Sequence, residues 1–124
     1  MTKPACNKKP IAWIGSSLED IKDDRNFTAS AKKEAGHQLD RVQSGLDPDD
    51  WKPFDTVGPG TKEIRINLDD GWFRVMYVAK FDEAIYVLHC FKKKSNKTSK
   101  MDISLAERRY KLVLSWRKGE RNEI

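Results

Sequence analysis

The chain has 124 residues, 38% hydrophobic and 35% charged, a composition that suits one soluble, heavily charged domain and excludes two independent cores. Its apolar runs are too short to span a bilayer, and no sustained apolar stretch follows the lysine-bearing start, so neither a membrane anchor nor a secretory signal is expected and a cytoplasmic protein is. The net charge of +5 is uneven: residues 1–60 hold 9 Lys/Arg against 10 Asp/Glu and residues 61–124 hold 15 against 9, which points to a polyanionic partner, nucleic acid first, with acidic proteins and plain solubility as other readings.

Residues 1–9 read as a flexible leader. Ile11 to Ile14, after Pro10, is a short apolar run that suits a buried strand entering a turn at Gly15. Ser16 and Glu19 form a capping box, which predicts a short helix carrying Leu18 and Ile21 and ending near Asp23 and Asp24. Thr28 then caps a second helix, in which Ala31, Ala35, Leu39 and Val42 recur on one face before Gly45. From Leu46 to Gly60, three prolines, two glycines and four aspartates predict a long loop. Trp51 and Phe54 would pin that loop, although aromatics can also stack on bases.

Beyond the loop the period becomes two. Ile64 and Ile66 flank Arg65, Asp69 to Gly71 signal a turn, and Trp72 to Ala79 and Ala84 to Phe91 complete a three-stranded meander to which Ile11–Ile14 can add a fourth strand. Lys92 to Lys100 follows as a polar connector, after which Ser99 and Asp102 cap a last helix with Ile103, Ala106, Tyr110 and Val113 on its core face. No internal repeat is present.

Alternation places Glu63 and Arg65 on one face of the first meander strand, and Ile64 and Ile66 on the other, toward the helices. In the next strand, burying Phe73 and Val75 would leave Arg74 exposed beside Arg65, two arginines on one open face unless Glu63 or Asp69 pairs with them. Lys92, Lys93, Lys94, Lys97 and Lys100 fall within nine residues, interrupted only by Ser95, Asn96, Thr98 and Ser99. Cations, hydroxyls and the free amides of a helix start are phosphate ligands, yet a charge run by itself indicates a polyanion and not a reaction. Cys6 and Cys90 fit no ligand pattern and read as free thiols, and His37 and His89 lack metal-ligand neighbours. His89 shares parity with Val87 and Phe91 and reads as a core histidine bonded to backbone in preference to an acid or base.

These phrases carry a resemblance: Lys9-Pro10-Ile11-Ala12-Trp13-Ile14-Gly15, Asp49-Asp50-Trp51-Lys52-Pro53, Glu63-Ile64-Arg65-Ile66, Phe73-Arg74-Val75-Met76-Tyr77, and Leu88-His89-Cys90-Phe91-Lys92-Lys93-Lys94 running into Lys97-Thr98. In order, and over about Pro10 to Lys111, they resemble the HigB-type, phage-derived branch of the RelE/ParE toxin superfamily. The resemblance implies a single α+β domain of RelE-like fold, with two N-terminal helices on a small antiparallel sheet of about four strands and a C-terminal helix. It also implies a type II toxin: a cofactor-free endoribonuclease that cuts mRNA in the ribosome, and a HigA-like helix-turn-helix antitoxin as partner.

By position, Arg74 matches the arginine of the family's Tyr/Phe-Arg-Val-hydrophobic-Tyr strand, where it is expected to hold phosphate, and Arg65 matches a basic residue on the preceding strand. Lys94 lies near the basic residue that RelE relatives use to stabilise the transition state, with Lys93 and Lys97 as competitors for that position. The implied catalytic set is therefore Arg74, Lys94, Lys93 and Arg65, with Lys92, Lys97, Lys100 and the stacking candidate Trp72 as RNA-binding residues and no metal. RelE's C-terminal catalytic tyrosine has no counterpart, because Tyr110 falls on the core face, and the general base is left open. Two other readings stay beside this one: a ParE-like gyrase inhibitor and a noncatalytic nucleic-acid-binding phage accessory protein.

Overall fold

The computed structural model describes residues 8–122; Cys6 and most of the 1–9 leader lie outside them. At its end, Lys8 pairs with Asp40, and the Lys9 ammonium donates to the carbonyls of Ala79 and Phe81 at 2.5 and 2.8 Å.

In chain order the elements are β1 (Ile11–Trp13), α1 (Ser17–Lys22), α2 (Ala29–Gln43), β2 (Trp51–Pro53), β3 (Thr61–Leu68), β4 (Gly71–Val78), β5 (Ile85–Lys93) and α3 (Lys100–Asn122). The fold is α+β, and its sheet has five strands in the order β1-β5-β4-β3-β2. Two details correct the expected four-stranded antiparallel sheet. β1 runs parallel to β5, Ile11 opposite Ile85, and a further short strand, β2, lies within the stretch predicted as loop, Lys52 opposite Glu63. Its Pro53 is tolerated because β2 is an edge strand with no ladder on its outer side. The aromatic anchors are where the sequence places them: Trp51 lies under the Lys62 ammonium, 4.3 Å from the ring centroid, and Phe54 packs against the core on the α3 side.

Capping begins both longer helices. Thr28 Oγ1 accepts from the Ala31 amide at 3.2 Å, and Ser99 Oγ accepts from the Asp102 amide at 3.1 Å. Ser16 begins α1 without the predicted capping box; its hydroxyl donates to Asp20 at 2.8 Å and accepts from Arg109 at 2.9 Å. That guanidinium also donates to the Leu88 carbonyl and lies so close to Gly15 that a Cβ there would stand 2.6 Å from Arg109 Nε.

The sheet is covered on both faces. Ile64, Ile66, Phe73, Val75, Tyr77, Ile85, Val87 and Cys90 join Ile21, Phe27, Ala31, Ala35, Leu39 and Val42 of the α1–α2 side in one core. Met76, Val78, Leu88 and Phe91 join Ala106, Tyr110 and Val113 of α3 in a second. Removing this much apolar surface from water is the main favourable contribution to the fold. At Met76/Tyr77 the ladder is shifted, Met76 facing His89 and Tyr77 facing Val87, so Leu88 is the extra residue of a β-bulge.

Tyr110 is buried on the core face, and its hydroxyl donates to the Pro59 carbonyl at 2.6 Å. The backbone passes so near that a Cβ on Gly58 would lie 2.6 Å from three carbons of the Tyr110 ring. Gly58→Ala is therefore expected to destabilise the protein by about 1–3 kcal/mol through overpacking. A urea midpoint equal to that of the wild type would contradict this packing. Among the described residues no helix is long and apolar enough to cross a membrane.

Candidate nucleic-acid interface

α3 covers the sheet face on which Met76, Leu88 and Phe91 lie, and beyond it the polar side chains of the same parity gather. The register brings Lys52 opposite Glu63, Arg65 opposite Arg74, and Trp72 opposite both Asn67 and Lys93. Arg65 and Arg74 are thus neighbours as expected, but the face is not open at Arg74. That residue is only 4% exposed, where the sequence predicted an exposed arginine. The reason is the second core: with both faces of β4 covered, no parity leads to open solvent along the strand's middle.

Arg74 Nη1 donates to Asn67 Oδ1 at 2.8 Å and to the Phe73 carbonyl at 2.9 Å. Its Nε is buried without a hydrogen-bond partner, 3.9 Å from Glu63 Oε1. Arg65, half-exposed, pairs with Asp50 at 3.0 Å and not with Glu63 or Asp69. Lys93 lies at the same patch: burial first, and the positive charge of Arg74 next, lower its pKa below the ordinary lysine value, with Glu63 opposing and Lys52 and Arg65 adding to the fall. Trp72 is 43% exposed beside these groups, as a stacking residue must be.

The connector forms the rim. Lys92, Lys93, Lys94, Ser95, Lys97 and Ser99 line a cleft of about 400 Å³ that Asn26 and Phe91 close from the body. Lys93 belongs to both the cleft and the sheet patch, and so joins them. Lys92 is divided from the patch by strand alternation: it lies on the α1–α2 side, its ammonium 5.8 Å from the Phe73 ring centroid and its amide donating to Asn26. Lys100 is exposed at the first position of α3 and does not line the cleft. The structure therefore brings together Arg65, Arg74, Lys93 and Trp72, sets Lys94 and Lys97 next to them along the cleft, and leaves Lys92 and Lys100 at its edges.

Two residues at the patch were not singled out as site residues by sequence reasoning. Lys52 comes to the patch on β2, the strand that Pro53 and the surrounding aspartates disguise. Glu63 was weighed only as a surface partner for an arginine, yet it is 0% exposed. A signal existed: Met76 and Val78 share the parity of Arg74, so β4 is apolar on both faces, as a strand covered from two sides is.

His89 is a buried histidine as expected, but its partner is a carboxylate and not backbone. Nε2 lies 2.7 Å from Asp102 Oδ1, the ring stacks on Phe91 at 4.7 Å, and Nδ1 is buried without a partner. Burial lowers its pKa from the ordinary 6.5, and the Asp102 bond opposes this. A base held neutral by folding is protonated more readily in the unfolded chain, so its contribution to stability is present above pH 6.5 and is lost as pH falls from there through the folded pKa. Urea midpoints measured at about pH 7.5 and 5.5 should drop in the wild type and drop less in His89→Gln. Equal drops would show that His89 is not the responsible group.

No curated protein matches the sequence. The family model described as "Phage derived protein Gp49-like (DUF891)" matches residues 22–111, a span that runs from the last residue of α1 through α2, strands β2 to β5 and the lysine connector into α3. That family is one associated with RelE/toxin-like proteins. Since the match takes in most of the chain and every residue of the cationic patch, the protein belongs to the Gp49-like phage-derived family.

Proposed function

We propose that this protein is a type II toxin that inhibits translation by cutting ribosome-bound mRNA, a metal-independent endoribonuclease with no small-molecule cofactor. The observation that carries this reading is the meeting of Lys52, Arg65, Arg74 and Lys93 on one sheet patch that continues into a lysine-lined cleft. Cleavage of RNA by its own 2′-hydroxyl needs a base for the hydroxyl proton, cations for the charged pentacovalent phosphate and an acid for the leaving 5′ oxygen. Arg74, whose Nε has no hydrogen-bond partner, and Arg65 suit the middle task. Lys93 suits proton transfer, because a lysine whose ammonium is disfavoured by burial and by neighbouring cations has a larger neutral fraction near neutral pH. Lys94 and Lys97 would grip flanking phosphates and Trp72 would stack on a base, while Lys92 and Lys100 add charge at the rim.

The same face would be covered in the resting complex by an acidic segment of a HigA-like helix-turn-helix antitoxin, since opposite potentials steer association. Co-expression followed by pull-down tests that partner, and a toxin that no such protein protects would count against it.

The deciding experiment is expression in bacteria of the wild type, Arg74→Ala and Lys94→Ala, with mRNA 5′ ends mapped on ribosomes. New 5′ ends in the wild type that fade in both variants are expected. Intact mRNA with undiminished toxicity would defeat the nuclease reading; gyrase trapped on DNA would favour the ParE-like alternative, and tight RNA or DNA binding without toxicity the noncatalytic one.

A further inference from the structure

Glu63 is the one fully buried acid among the described residues. It stands on β3, the strand next to the β2 edge, between Lys52 of β2 and Met76 of β4. One carboxylate oxygen, Oε2, accepts from Thr98 Oγ1 at 3.4 Å. The other, Oε1, has no hydrogen bond and lies 3.8 Å from the Lys52 ammonium and 3.9 Å from Arg74 Nε, itself buried and unpartnered. Such an arrangement is a poor way to stabilise a sheet. A carboxylate out of water needs close hydrogen bonds to offset its desolvation, and an apolar residue opposite Met76 would cost less.

Geometry accounts for the carboxylate better than stability does. Lys52, Arg65, Arg74 and Lys93 converge from four strands on one patch with a single buried anion among them. Asp50, the other carboxylate nearby, is half-exposed and engaged with Arg65. Thr98 comes from the connector, so the bond to Oε2 fastens the lysine cleft to the sheet at the point where Lys93 joins the two. We infer that Glu63 is a positioning residue, which holds Arg74 and Lys93 in reacting geometry and, through Thr98, aligns the connector lysines with the sheet arginines along one phosphate track. This rests on the nuclease reading above.

The charge of Glu63 also acts on Lys93, whose pKa it raises against burial and against Arg74, Lys52 and Arg65. Glu63→Gln keeps the shape and an acceptor for Thr98 but removes that charge. Two results are expected from the folded variant. The Lys93 titration, followed by NMR with isotope-labelled lysine, moves to lower pH. Cleavage of ribosome-bound mRNA falls by roughly 10²-fold, the scale of a small misplacement of reacting groups. Binding of a short single-stranded RNA, read by fluorescence anisotropy, should hold or tighten, because an anion has left a cationic surface.

This last contrast separates positioning from simple electrostatics or a loss of fold. A Lys93 titration that stays in place, or wild-type cleavage by a folded Glu63→Gln, would overturn the inference. Should Glu63→Gln not fold, Thr98→Val serves instead: it removes the hydroxyl donor at nearly constant volume, and slower cleavage with retained RNA binding is expected, unchanged cleavage overturning the proposal. If the wild type cuts no RNA at all, the nuclease reading fails, and the NMR titration still decides whether Glu63 sets the charge of Lys93.

Discussion

Arg74→Ala should reduce mRNA cleavage by at least roughly 10²-fold, the loss that follows removal of a single preorganised group opposite developing negative charge. The effect has two sources that a second variant resolves. The guanidinium is buried, and taking away one partner of a buried ion pair leaves the other uncompensated, at a cost of about 3–5 kcal/mol. Here the pairing with Glu63 is loose, at 3.9 Å, which places the expected cost toward the lower end. Arg74→Lys keeps a positive charge near Glu63 but loses the planar guanidinium that engages Asn67 and the Phe73 carbonyl. It should therefore retain most of the stability and little of the cleavage. Mapped 5′ ends and urea denaturation on both variants give the comparison, and a folded Arg74→Lys that cuts like the wild type would remove Arg74 from the reaction.

Phe73→Ala should cost about 3–5 kcal/mol, a large part of the 5–15 kcal/mol that holds a domain of this kind together. Phe73 is fully buried, its ring centroid 5.1 Å from that of Phe27, so truncation opens a cavity where β4 meets the chain segment between α1 and α2. The Lys92 ammonium near that ring loses its aromatic face as well. Because Phe73 points away from the cationic patch, RNA binding by the folded fraction should change far less than stability. A loss of unfolding free energy under about 1 kcal/mol in urea denaturation would mean that this core is less tightly packed than its burial indicates.

The parts of this molecule written in local periodicity were legible. α2 shows its buried stripe in Ala31, Ala35, Leu39 and Val42, α3 shows its own in Ile103, Ala106, Tyr110 and Val113, and the caps Thr28 and Ser99 mark both starts. The meander is equally plain from alternation and the Asp69–Asp70 turn. Long-range facts were not. Nothing in Ile11–Trp13 says that its neighbour is β5 or that the pairing is parallel. Aspartates and prolines around Trp51–Pro53 spell a turn, although an edge position lets the same residues form a strand. One inserted residue at Leu88 puts His89 and Phe91 on the face opposite Val87, against simple alternation. At the candidate site, parity paired Arg65 with Arg74 correctly, and the lysine connector stood out by composition. Burial of Arg74 and Glu63 depends on α3 returning over the second face, which no short window of sequence contains.

The parallel pairing of β1 with β5 bears on how the chain assembles during synthesis. Ser17 Oγ bonds the Val87 carbonyl 70 residues ahead, and Arg109 ties the Leu88 carbonyl to Ser16 from α3. Closing so long a loop is entropically costly and slows folding. The first strand and α1 therefore wait, without their sheet partner, until β5 has emerged, whereas the hairpin of β3 and β4 can form as soon as it is made. On that order of events the arginines of β3 and β4 come together early, and Lys93 and its connector reach them only once β5 has been made.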